Sequence, residues 1–422
     1  MPKFLPTLAS PANTRVNQAL LSRRRPVPRQ DDISDLRRNL VIVALSVGAF
    51  GIGVTEFVAM GLLPYIAEDF GRTEAQSGAV ISMYAIGVVV GAPLITVLTG
   101  SIPRRRMLLL LMAAFTIGNA ATVFAGSFGS FTTVMISRFI AGLPHGAYFS
   151  VAALVSASLA KPGKRGRAVA MAGMGLSVAT VIGVPAAQAL GHAFGWRYAF
   201  VFVTFIGLAA LLCLWFAVPH MTRMPKTRPI EELGALATTQ VWLTVAIGTI
   251  GFGGMFAVYT YITWTMTEVA GYPENMMWLV LMAYGIGMVI GTDLGGRVAD
   301  RFGEWGIVYV LIGMAVTLTA FYFTSQYSVA AIINFGLIGL LGSTLIPSLQ
   351  TRLMDVAGRA QTLAAALNQA ALNTANAGGA AIGGAVIAAG YGYSAPALAG
   401  AVMAIAAIGA WAPAVWLRAR GR

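Results

Sequence analysis

The chain has 422 residues, of which 57% are hydrophobic and 10% charged, whereas soluble domains carry roughly a quarter charged residues. That composition excludes an ordinary water-soluble fold, and the formal net charge of +13 does not indicate nucleic acid, because the Lys and Arg residues are scattered in short segments between apolar stretches. The one cysteine, Cys213, excludes an internal disulfide and a multi-cysteine metal site.

Residues 1–37 are rich in Pro and Arg, with Arg23, Arg24 and Arg25 in a row and no apolar run, and are expected to form a disordered cytoplasmic tail. Beyond them, apolar stretches long enough to cross a bilayer recur through the chain. The predicted spans are approximately 39–63, 77–99, 106–126, 131–158, 167–190 and 197–218, then 241–266, 276–296, 305–325, 328–351, 361–389 and 394–416. The expected fold is all-α and polytopic, with twelve transmembrane helices in two six-helix halves, 38–218 and 241–417. A cytoplasmic linker, 219–240, joins the halves, and a cytoplasmic tail, 418–422, ends the chain.

Lys and Arg favour cytoplasmic loops. Arg104, Arg105 and Arg106, the segment from Lys161 to Arg167, the linker, Arg297 and Arg301, Arg352 and Arg359, and Arg418, Arg420 and Arg422 all fall on one side. The alternate loops carry Glu68, Asp69, Glu74, Glu268 and Glu274, with Arg72 and Arg197 as their cations. Both termini are therefore expected in the cytoplasm.

Residues 84–94 read YAIGVVVGAPL and residues 284–294 read YGIGMVIGTDL, an offset of 200 without gaps. The second and eighth predicted helices are thus equivalent, and the halves are expected to be parallel repeats with a substrate site between them. Gly87 and Gly91, like Gly287 and Gly291, have the Gly-x-x-x-Gly spacing that lets helix backbones approach closely, either as static packing or as a sliding contact.

Four sets of residues carry a resemblance. Gly296-Arg297-Val298-Ala299-Asp300-Arg301-Phe302-Gly303 follows the eighth span; Thr55-Glu56-Phe57 and Gly61-Leu62-Leu63-Pro64 lie in the first. Arg138 with Gly142-Leu143-Pro144-His145-Gly146 lies in the fourth, and Gly175, Gly183 and Pro185 lie in the fifth. Together they resemble the drug/proton antiporter branch of the major facilitator superfamily, among its arabinose-efflux-permease-like members. The resemblance implies that Gly296, Asp300, Arg301 and Gly303 form a gating loop on the cytoplasmic side. In the matching first-half loop Thr96, Gly100, Ser101 and Pro103 replace those four residues, and Arg104 and Arg105 keep its basic character. Gly175, Gly183 and Pro185 correspond to a fifth-helix pattern associated with export, although Val184 separates its Gly from its Pro.

Ionisable groups inside a membrane are functional candidates. Glu56 lies roughly 7 Å and Arg138 roughly 9 Å outward of the middle of their spans, at 1.5 Å per residue. The resemblance implies that both helices line a central cavity, so Glu56 and Arg138 are expected to approach each other, as a structural ion pair, a proton-coupling pair or a substrate contact. His145 and Asp293 are further proton-coupling candidates. His145 could also bond a neighbouring helix, and Asp293 could support the loop that follows it. Candidates for the substrate cavity are Tyr84, Tyr259, Trp264, Asn368, Gln369, Asn373 and Asn376; the amides equally suit helix–helix bonding, and the rings an interfacial aromatic belt.

The expected function is proton-coupled efflux of small amphipathic or sugar-like compounds by alternating access, in a bacterial inner membrane. Uptake by symport or facilitation, and a receptor without transport, are the alternatives. An enzyme is not expected, since the chain has no His-Glu-x-x-His and no Gly-x-Ser-x-Gly, and an ATP-driven pump would need a phosphate-binding loop that is missing. The expected partners are a small-molecule substrate, protons and the lipid bilayer; the expected energy source is the proton gradient, with no cofactor and no metal, and the expected state is a monomer.

Overall fold

The computed structural model describes residues 33–99, 102–127, 130–161, 165–219, 234–357 and 360–419. Most of the predicted amino tail and linker, and the last residues of the carboxyl tail, lie outside the described residues.

In the first half the long helices are α1 (Asp35–Gly61), α2 (Ala79–Leu98), α3 (Arg104–Ser127), α4 (Phe131–Gly142, continued by His145–Leu159), α5 (Arg165–Val178, a π-helical turn Ala179–Gly183, then Val184–Phe194) and α6 (Trp196–Ala217). In the second half they are α7 (Thr239–Thr260, continued by Ile262–Trp264 and a π turn Thr265–Val269), α8 (Met277–Phe302), α9 (Trp305–Thr324), α10 (Ser328–Ala357), α11 (Gln361–Ala388) and α12 (Ala395–Ala419). Eleven of them are long and apolar enough to cross a membrane. The exception is α11, whose amides Asn368, Gln369, Asn373 and Asn376 lower its hydropathy.

Helices suit lipid because each satisfies its own backbone polar groups. Their ends are set locally. Ser34 accepts from the Arg37 N–H at the start of α1, Thr73 and Gln76 form a reciprocal capping box ahead of α2, and Gly303, at φ +53°, stops α8.

Three boundaries differ from the sequence reading. Helix α8 runs on to Phe302, so Gly296, Asp300 and Arg301 occupy its last two turns and not a loop. Helix α10 continues to Ala357 and takes Arg352 into its buried face. Helix α4 is interrupted at Leu143 and Pro144, because proline has no N–H to continue the backbone ladder.

The glycine pairs act inside the halves. A methyl on Gly87 or Gly91 would strike the carbonyls of Phe139 and Leu143 on α4, and one on Gly287 or Gly291 those of Gly336 and Leu340 on α10. They are contacts within each half, α2 on α4 and α8 on α10, and the repeat is structural as well as sequential.

The halves meet through α2 with α11 and α5 with α8. Two ends can be distinguished: a terminal end, where α1 starts and α12 stops, and a far end. Cross-half hydrogen bonds gather toward the far end, from Thr263 Oγ1 to Gly61 O (3.1 Å), Tyr393 OH to Glu74 Oε1 (2.8 Å) and Ser82 Oγ to Ala377 O (3.3 Å). At the terminal end, charged groups bond within their own half: Lys161 and Arg38 with Asp35, Arg297 with Asp293, and Arg352 and Arg418 with Glu304.

Candidate functional site between the halves

Arg138 is fully buried on the first segment of α4. A buried cation needs hydrogen-bond partners, and Arg138 finds them on α1. Its Nη1 donates to Thr55 Oγ1 at 2.8 Å and its Nη2 to the Thr55 carbonyl at 2.9 Å. The guanidinium also lies 4.3 Å from the centre of the Tyr84 ring and 5.1 Å from that of Phe200, a cation–π setting in which arginine is favoured over lysine. Thr55 Oγ1 in turn donates a hydrogen bond to Asn119 Oδ1 at 2.5 Å, and Asn119 Nδ2 donates to the Phe115 carbonyl.

Glu56, the next residue on α1, is 8% exposed. Its Oε2 lies 4.0 Å from His145 Nε2, and His145 Nδ1 lies 3.0 Å from the Tyr84 hydroxyl. If Nδ1 accepts from Tyr84, the imidazole proton sits on Nε2, facing the carboxylate. Tyr84 thus joins the two systems, with its face under Arg138 and its hydroxyl on His145.

The expected contact between Glu56 and Arg138 takes another form. The two charges are within Coulombic reach, but the guanidinium fork is occupied by Thr55, which turns out of α1 beside Glu56. The acid is left to the second segment of α4, where His145 begins a new helix after Pro144. The interruption of α4 presents Arg138 and His145 to the same tyrosine.

The second half offers rings at the corresponding place. Tyr259 and Tyr284 meet edge to face with centroids 4.5 Å apart, Phe335 lies 4.8 Å from Tyr284, and Phe57 reaches across from α1 to 5.4 Å from Tyr259. Since Gly87 packs on Phe139 and Gly287 on Gly336, Phe335 stands to Tyr284 as Arg138 stands to Tyr84. The Tyr284 hydroxyl is buried with no partner among the described residues. The two halves therefore share a tyrosine but not its charged neighbours.

The remaining candidates fall elsewhere. Asn368, Asn373 and Asn376 are buried in α11 and Gln369 is half-buried. Asn373 Nδ2 donates to the Gln369 carbonyl, while Asn373 Oδ1 and both amide atoms of Asn376 have no partner among the described residues. Trp264 is buried at the far end, parallel to Tyr393, so an interfacial belt does not account for it. Asp293 is exposed and bonds Arg297 at 2.6 Å, apart from the Glu56 cluster. Asp300, Arg301 and Gly303 are exposed and Gly296 is half-buried. Arg105 donates to the Trp215 carbonyl at the end of α6, and Arg104 opens α3, half-buried.

Gly175 sets α5 against the Ser46 carbonyl of α1, and Gly183 sits against Val54 and Phe50. Pro185 lacks an N–H, and the ladder ahead of it shifts, so that Val184 N–H bonds Ala179 O through a π turn. Gly285 of α8 packs directly on the Thr180 carbonyl of that turn, bringing the two halves backbone to backbone.

Sequence reasoning missed Thr55, Asn119 and Arg352. Thr55 stands next to a selected acid but reads as an ordinary helix residue. Arg352, assigned to a loop, lies inside α10 with Nη1 2.6 Å from Glu304 Oε1, Nε 3.1 Å from Thr244 Oγ1 and Nη2 3.1 Å from Gln240 Oε1. Its signal was its position one residue beyond the predicted end of the span, 351.

The profile of the Major Facilitator Superfamily matches residues 45–357. The chain belongs to this superfamily. A relative within it, "Inner membrane transport protein YdhP" of Escherichia coli (strain K12), is 38% identical over 369 residues, covering 87% of this chain and 94% of the relative. Another, "Chloramphenicol resistance protein" of Streptomyces lividans, is 33% identical over 353 residues, covering 78% and 86% respectively. The fold matches that of a bacterial homologue of the human lysosomal transporter Spinster, solved in an inward-facing and unoccupied conformation, with a TM-score of 0.70 at 18% identity over 90% of this chain and 98% of that one. The protein is thus a facilitator-superfamily transporter of the secondary type, similar to the drug/proton antiporters, and not an enzyme.

Proposed function

We propose that this protein exports small amphipathic or sugar-like compounds in exchange for protons, by alternating access between the two halves in a bacterial inner membrane. The observation that carries the proposal is the buried Glu56, set against His145 and, through it, Tyr84. A carboxyl group between two rocking halves can take a proton when one end is open and release it when the other is. Burial disfavours its charge, nearby Arg138 favours it, and small movements of the halves alter that balance. Arg138, held by Thr55, keeps a fixed positive charge nearby without consuming the acid.

With the arginine-rich ends facing the cytoplasm, the far end faces outward and is the closed one. Export accords with the similarity to a chloramphenicol resistance protein. The test uses everted membrane vesicles, with labelled chloramphenicol and a labelled pentose as probes. Uptake into vesicles with an acidic interior, collapsed by a protonophore, is expected for at least one probe. Accumulation of either probe that ignores the protonophore contradicts proton-coupled export.

A further inference from the structure

Glu74 and Glu274 stand 200 residues apart, the offset of the internal repeat. Each sits just ahead of an equivalent helix, α2 and α8, at the far end. Each also meets a tyrosine of the opposite half. Tyr393, between α11 and α12, donates to Glu74 Oε1 at 2.8 Å. Tyr65, just past α1, approaches the Glu274 carboxylate closely enough to feel its charge, while its hydroxyl lies 2.9 Å from His192 Nδ1.

Each tyrosine is backed by a ring from its own half. Trp264 lies parallel to Tyr393 at 6.4 Å, and His192 lies 6.0 Å from Tyr65. Both phenols lie outside the membrane-spanning segments, and Tyr393 is held as a donor. Burial first, and then the Glu74 hydrogen bond, push Tyr393 up to about 12. Burial and the Glu274 carboxylate hold Tyr65 above the ordinary phenol range.

We propose that the Glu74–Tyr393 bond, with the repeat-related approach of Tyr65 to Glu274 beside it, forms a latch that keeps the far end closed and must break for that end to open. Each contact crosses from one half to the other in the opposite sense, so a rocking motion that separates the halves at the far end parts both. The inference rests on the alternating-access reading and not on proton coupling or substrate. Hydrogen bonds to carboxylates are stronger than neutral ones, so the Tyr393–Glu74 bond outweighs the cross-half bonds of Thr263 and Ser82, which end on backbone carbonyls.

The test is a distance measurement on the full chain in liposomes. Spin labels are placed through Phe194→Cys and Tyr327→Cys, at far-end turns of the two halves, in a Cys213→Ser background. A short distance is expected to predominate in the parent. Tyr65→Phe with Tyr393→Phe keeps both rings and removes both hydroxyls; it is expected to raise the long-distance population about tenfold relative to the short one, equivalent to ~1.4 kcal/mol. Glu74→Ala with Glu274→Ala is expected to act in the same direction. Unchanged distributions in both double variants overturn the latch. The readout involves no flux, so failure of the proposed proton coupling leaves this result unaffected, and failure of the latch leaves the coupling assay interpretable.

Discussion

His145 Nε2 lies 4.0 Å from Glu56 Oε2. The two residues belong to different helices, and the imidazole is oriented from its other side by the Tyr84 hydroxyl at 3.0 Å. An acid, an imidazole and a phenol thus stand in series.

Tyr84 and Tyr284 are equivalent in the repeat but differ in their bonds, which makes them a matched pair. Tyr84→Phe removes a satisfied hydroxyl and leaves His145 Nδ1 without it, so a loss of ~1 kcal/mol is expected. Tyr284→Phe removes a buried hydroxyl that has no partner among the described residues, and is expected to be neutral or stabilising. Thermal unfolding of the two purified variants in one detergent orders them; an equal loss in both contradicts the asymmetry.

Arg138 is expected to be needed for stability as well as for its charge. Arg138→Met removes two charge-assisted hydrogen bonds to Thr55, and the expected loss is at least the ~1.5–3 kcal/mol of one such bond. Arg138→Lys should recover little, since an ammonium cannot reach Thr55 Oγ1 and O as a fork while lying over the Tyr84 ring. Full recovery by lysine in a melting experiment argues that only the charge matters.

Glycine positions differ in how tightly the structure packs them. Gly87→Val places methyl groups on the Phe139 carbonyl of α4, and overpacking of this kind costs at least ~1–3 kcal/mol; low yield of folded protein is expected. Gly296→Ala meets no heavy atom within 4 Å, so its folding should be normal.

Arg352 ties α10 to Glu304 ahead of α9 and to Gln240 and Thr244 of α7. Arg352→Met leaves Glu304 with Arg418 but strips the buried side of the network, and an expected loss of ~1–3 kcal/mol follows from leaving Gln240 and Thr244 without their buried donor. Adding Glu304→Gln should restore part of it in a double-mutant comparison. Independent, additive effects would contradict a direct pair.

Much of this was legible in the chain. Apolar runs located the helices, and the match of Tyr84 with Tyr284 through Leu94 with Leu294 revealed the halves. Glu56, Arg138 and His145 were conspicuous because charge is rare in apolar surroundings. The pairing was not legible. Glu56 and Arg138 have similar depth, yet which of two adjacent residues, Thr55 or Glu56, turns toward a guanidinium depends on helix rotation, which depth does not specify. The interruption at Pro144 also hides how α4 presents both Arg138 and His145 to Tyr84. Helix ends were misjudged where charged residues continue a helix, as Arg297 and Arg301 do in α8 and Arg352 in α10, because charge was taken as a boundary.

The most direct test of the central claim uses purified protein in liposomes holding a pH-sensitive dye, with candidate solutes added to the wild type and to Glu56→Gln. The account predicts solute-triggered proton movement in the wild type and its loss in Glu56→Gln, with folding retained. Labelled solute that crosses in both proteins without any proton movement would contradict it and make the protein a facilitator.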